Sequence, residues 1–143
     1  MPTASSFPTK ARIREIFAHL GTGDMASFYT HVADDVDWTV MGTHVLSGHH
    51  VDKESFLSNL RWGVEGVFEG PLKLHVTSII GGDVEEWAVI EMVSEATCMV
   101  YDNRYSWSTR WKDGKIVEVR AYLDGLFLNR VLSENGSKAF IGH

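Results

Sequence analysis

Trp111-Lys112-Asp113-Gly114-Lys115-Ile116-Val117-Glu118-Val119-Arg120-Ala121-Tyr122-Leu123-Asp124 is the stretch that decides the architecture. Asp113-Gly114 is a turn signal between two runs rich in β-branched and aromatic residues. In the run that follows, strand alternation puts Val119, Ala121 and Leu123 on one face and Arg120 and Tyr122 on the other. Three further runs precede it, at Leu72 to Ile80, Trp87 to Cys98 and Asn103 to Trp111, with Gly81-Gly82-Asp83 as a second turn. Together they predict consecutive antiparallel strands.

The chain before Pro71 has a different period. Ile13, Ile16, Phe17 and Leu20 recur at spacings of three and four, the apolar stripe of an amphipathic helix over about residues 8–20. Gly21 and Gly23 end it, and Asp24 is placed to cap a short second helix through Met25, Phe28 and Tyr29. Val36 to Met41 alternates as a strand, with Trp38 and Val40 on one side. A third helix from about Asp52 to Trp62 aligns Phe56, Leu57 and Leu60. Gly125 to Leu132 predicts a terminal helix, and Ser133 to His143 a loosely ordered tail. Helices followed by a run of strands define an α+β domain with helices on one face of a curved sheet.

At 143 residues the chain suits one domain, with a core from about residue 10 to 132. Thirteen Lys and Arg, scattered and outweighed by nineteen Asp and Glu, give a net charge of -6 and argue against nucleic acid as a partner. No apolar run approaches the roughly 20 residues of a membrane helix, and the first ten residues lack a signal-peptide core, so a cytoplasmic protein is expected. Cys98 is the single cysteine, which excludes an internal disulfide. Seven histidines include the adjacent His49-His50 but no HxH or HxxxH spacing, so no metal is expected. No Gly-rich loop opens a helix, and no cofactor is indicated.

The order of elements resembles the SnoaL-like branch of the NTF2-like superfamily. The local features that carry the resemblance are Gly23-Asp24, Ala33-Asp34-Asp35-Val36-Asp37-Trp38 and the 111–124 stretch, and it extends over about residues 10–132. The resemblance implies a cone whose interior is a pocket, walled by Trp38 and Val40, by Asn103, Tyr105 and Trp107, and by Val119, Ala121 and Leu123. Leu60 of the third helix and Met92 and Ser94 of the middle strand complete this substrate-binding set. Related domains commonly form homodimers, and one is expected here.

The superfamily includes polyketide cyclases, ketosteroid isomerases, limonene-epoxide hydrolases, scytalone dehydratases and domains without catalysis. The hydrolase carboxylate that follows the Arg of the last strand is Ala121 here, and its middle-strand Arg and Asp match Met92 and Ser94. Val40 lies where ketosteroid isomerases carry their aspartate base. Hydrolase chemistry is therefore not expected. His44, just after the first strand, is the titratable group near the mouth, either a proton-transfer residue or a hydrogen-bonded loop residue. Tyr105 either donates to an oxygen gaining charge, with Ser94 or Asn103 beside it, or packs as an aromatic.

Glu91 and Glu95 depend on the hairpin between the middle strands. A two-residue turn at Met99-Val100 sets Ser94 opposite Tyr105 and sends both glutamates out, whereas a three-residue loop turns them inward. An inward Glu95 would be a desolvated acid or base. The leading expectation is a cofactor-free isomerase, cyclase or dehydratase acting on a small hydrophobic oxygenated or polycyclic metabolite of secondary metabolism. The alternatives are a non-catalytic hydrophobic-ligand binder and a dimeric interaction module.

Overall fold

Asp113 and Gly114 both take positive φ, 52° and 79°, the backbone a two-residue hairpin turn requires. They fold β5 (Arg104–Lys112) back on β6 (Lys115–Leu123), and β4 (Trp87–Glu95) and β3 (Lys73–Gly81) continue the antiparallel ladder. The computed structural model describes residues 7–64, 72–96 and 99–135. Cys98, and the tail beyond residue 135, lie outside the described residues.

The sheet is completed from the other end of the chain. β1 (Val32–Val40) lies parallel to β6, and a three-residue strand β2 (Gly48–His50) pairs with the free side of β1. The order is β2-β1-β6-β5-β4-β3 in one curved, mainly antiparallel six-stranded sheet. β1 is longer than its alternation indicated, because the register shifts between Val32 and Asp37 and leaves Asp34 and Asp35 exposed. Only from Val36 onward does burial follow period two.

The helices fall where the spacing placed them: α1 (Lys10–Gly21), α2 (Met25–Tyr29), α3 (Lys53–Val64) and α4 (Gly125–Asn135). Thr9 caps α1 by accepting from Arg12 N–H, and Asp24 caps α2 by accepting from Ser27 N–H. α1 packs on β3 and α3 on β1, closing one face of the sheet over Ile13, Ile16, Phe17, Phe28, Phe56, Trp38, Trp107 and Trp111. Residues 133–135, expected to be loose, continue α4, whose Leu128, Val131 and Leu132 are buried against Leu46 and Tyr101 in a second apolar cluster.

Candidate functional site

The covered face of the sheet is the one alternation selects. Trp38, Val40, Met92, Trp107, Val119 and Ala121 are buried, while Arg120 and Tyr122 point the other way and are exposed. Tyr105, Leu123 and Leu60 are partly buried against the same core. Aromatic rings fill the centre: Trp38 stacks on Phe56 at 4.0 Å and meets Trp107 edge-on at 5.1 Å, and Phe28 lies edge-on to Phe17 and Tyr29. Burial raises the Tyr29 hydroxyl pKa, so it stays protonated.

Where β4, β5 and the start of α4 meet, polar groups are buried but paired. Asn103 Nδ2 donates to Tyr101 Oη (2.9 Å) and to Asp124 C=O (3.1 Å), and its Oδ1 accepts from the N–H groups of Arg104 (2.8 Å) and Asp124 (3.1 Å). Both donors and both acceptor positions of the amide are thereby used. Ser94 Oγ donates to Tyr101 C=O (2.7 Å) and accepts from Asn103 N–H (3.0 Å). Tyr105 Oη donates to Tyr101 Oη at 3.2 Å, and burial holds its pKa well above the ordinary value. The network ties the β4–β5 connection to the start of α4.

His44 lies beside this network, in the loop from β1 to β2, on a cavity of about 560 Å³ lined also by Met41, Tyr122, Leu123, Leu126 and Asn129. The loop is fastened from both sides. Ser47 Oγ accepts from His44 N–H (3.0 Å), and Asn129 Oδ1 of α4 accepts from Val45 N–H (3.0 Å). A Cβ at Gly125 would fall 2.6 Å from His44 Cδ2, so a glycine at the start of α4 is what lets the imidazole lie against it. His44 Nδ1 accepts from Leu46 N–H at 3.2 Å, which puts the proton of the neutral ring on Nε2. Among the described residues Nε2 is buried and makes no well-formed hydrogen bond, although the Met41 carbonyl lies near enough to act on the ring. Burial lowers the His44 pKa below 6.5, partly opposed by the Met41 carbonyl, so the ring is neutral at neutral pH.

The structure thus divides the sequence-derived residues into groups. His44 and Leu123 share the cavity. Tyr105, Ser94 and Asn103 belong to the paired network, so Ser94 and Asn103 reach an incoming oxygen only by giving up bonds they already make. Trp38, Val40, Met92, Trp107, Val119 and Ala121 face the aromatic interior.

Of the two directions open to Glu95 the structure takes the outward one, which removes it as a catalytic candidate: it is exposed, its carboxylate meets His75 Nε2 at 2.8 Å, and that hydrogen bond lowers its pKa. Glu91 is exposed as well. The connection is neither of the short loops considered, since β4 ends at Glu95 and β5 begins at Arg104. Met92 therefore stands opposite Tyr105, and Ser94 N–H bonds Asn103 C=O, a shift of two residues that preserves the faces. The longer connection carries Tyr101, a buried hub the sequence reading passed over. His50, which the sequence presents only as one of an adjacent histidine pair, lies on a strand too short for alternation to assign it a face.

No protein-family model matches the chain. The fold is NTF2-like. Solved structures that share it include Bal32a from a soil-derived mobile gene cassette, with a TM-score of 0.69 at 15% identity over 85% of this chain and 93% of that one. An NTF2-like protein from Burkholderia thailandensis gives 0.68 at 16% identity over 85% and 95%. IdmH, a candidate polyketide cyclase from Streptomyces antibioticus, gives 0.62 at 17% identity over 86% and 96%. Among curated proteins the chain is similar to the dimerizing cyclase phiC of a fungal species (strain ATCC 74256), 26% identical over 138 residues. That match takes in 93% of this chain but 61% of the relative, so the chain spans about three fifths of its length. Among the described residues, no helix is long and apolar enough to cross a membrane.

Proposed function

We propose that the protein is a cyclase-type enzyme that works without a cofactor on a small, hydrophobic, oxygenated metabolite. The observation that carries this reading is the neutral His44 imidazole, with Nδ1 engaged and Nε2–H unpartnered among the described residues, in the wall of a cleft of about 560 Å³ that opens to solvent. With its lone pair on Nδ1 already accepting a hydrogen bond, His44 acts as a donor rather than a base. Its Nε2–H, shielded in the free protein, donates to a carbonyl oxygen as negative charge develops there once the substrate is seated against the loop. Tyr105, kept protonated by burial and bonded to Tyr101, does not line this cavity and serves to hold the network beside it. Holding a flexible chain in a reactive conformation supplies the rest of the rate. The similarity to phiC is consistent with ring formation as the outcome.

The test is incubation of purified protein with linear polyketide-type ketones, with products followed by mass spectrometry. His44→Ala should slow product formation about 10²-fold while leaving ligand affinity within a few-fold. An unchanged rate removes His44 from the mechanism. A second reading, a ligand carrier, is favoured by Val40, Met92, Ser94 and Ala121, where catalytic relatives place charged groups and this chain has none. Binding without product from any probe would favour it.

A further inference from the structure

We propose that Trp38 Nε1 and His50 Nε2 form a docking point for one acceptor oxygen, a carbonyl or carboxylate, of a flat apolar ligand lying over Gly48. Trp38 and His50 are directly paired across β1 and β2, so their side chains leave the sheet on the same face. Both rings lie against Phe56, Trp38 stacked at 4.0 Å and His50 edge-on at 5.9 Å. Trp38 is fully buried, and among the described residues neither its Nε1 nor His50 Nε2 has a hydrogen-bond partner, although both atoms are shielded from solvent. A buried N–H left without an acceptor is destabilising, and two on neighbouring positions of one wall mark a place where something is bound.

His50 is held for this purpose from its other side. Its Nδ1 lies 3.1 Å from Ser55 Oγ, and the first turn of α3 that carries Ser55 is fixed by Ser55 N–H donating to Asp52 Oδ1 (2.6 Å). When the Ser55 hydroxyl donates to Nδ1, the ring proton sits on Nε2, and the wall presents two N–H donors. Gly48, two residues from His50 on the same face and paired with Val40, puts no side chain beside the two nitrogens, which have no exposed surface and are reached only when this part of the wall gives way to the ligand. A Cβ there would meet, among the described residues, His50 Nε2 alone, at 3.6 Å. The site is separate from the His44 cavity, whose lining includes none of Trp38, Gly48 and His50. It requires only that the interior take a ligand, whether or not that ligand is turned over.

The experiment uses the full chain and three probes of one shape: 2-acetylnaphthalene, 2-naphthoate, and 2-isopropenylnaphthalene, which replaces the ketone oxygen by a methylene. Titrations are followed by the indole N–H resonances of the ¹⁵N-labelled protein, with Trp38 assigned through contacts to the Phe56 and His50 ring protons. The proposal expects the Trp38 signal to move downfield with an oxygenated probe, and that probe to bind about tenfold tighter than the methylene analogue. Tighter binding of the ketone identifies a carbonyl site, and tighter binding of naphthoate a carboxylate site. Gly48→Val, a substitution suited to a strand, should abolish the shift while the protein keeps its melting temperature.

Equal binding of ketone and methylene analogue overturns the proposal. So does an unmoved Trp38 signal at millimolar probe, or full binding by Gly48→Val. Failure of turnover with the Trp38 shift intact would instead count against the cyclase reading alone.

Discussion

Two buried polar regions of this molecule are built in opposite ways. Around Tyr101, Ser94 and Asn103 meet their hydrogen-bonding needs within the chain, down to both donors and both acceptor positions of the Asn103 amide. On the β1–β2 wall and in the adjoining loop, Trp38, His50 and His44 each bury a nitrogen without a partner among the described residues. A completed network rigidifies and specifies one arrangement, whereas an incomplete one is held ready for a group from outside. Burial of polar side chains is common to both, so it cannot by itself separate scaffold from site. The state of their partners can.

Substitution should separate the regions most sharply at Asn103. Asn103→Leu strands Asp124 N–H, Asp124 C=O and Arg104 N–H together, and an expected loss of about 3 kcal/mol should appear as a lower urea midpoint with an unchanged slope. A loss under about 1 kcal/mol would mean that the network is not structural.

An intermediate effect is expected from acid. His44 has a folded pKa below its ordinary 6.5 because burial disfavours the charged ring, and His31 is shifted the same way, by burial first and then by the charges of Arg12, His19 and Lys115. Above pH 6.5 both are neutral, folded or unfolded, and nothing is lost. As pH falls through 6.5 and then through the lower folded values, the unfolded chain takes up the protons first, so stability declines. Thermal unfolding from pH 8 to 5 checks this, and His44→Gln should flatten the decline. A slope unchanged by that substitution would assign it to other groups.

The smallest effect belongs to His50→Phe. It removes an unpaired buried nitrogen and keeps a ring against Phe56, so stability should stay within about 0.5 kcal/mol of the parent or rise. A loss as large as that of Asn103→Leu would erase the contrast.

How much of this was open to sequence reading follows from periodicity. Trp38, Val40, Trp107, Val119 and Ala121 repeat every second residue over strands long enough to show it, so their face was legible. β2 has three residues, too few for any pattern, and its His50 was weighed only as a metal ligand. Tyr101 lies between strands, where no period applies. The Ser94 register missed by two residues because hairpin alternation sets a face but does not count residues in the connection. His44 was placed correctly at the end of β1, but the atom it offers depends on Leu46 N–H and Gly125, contacts that no spacing encodes.

The parallel union of β1 with β6 has a consequence for assembly of the chain. β3 through β6 are neighbours in sequence and can zip up as successive hairpins, but the strand bearing Trp38 gains its inner neighbour only after the last strand has been synthesised. Such a distant closure is slow relative to local pairing. A nascent chain stopped short of Ile116 would leave the aromatic wall on an open edge, where it would invite pairing with other chains.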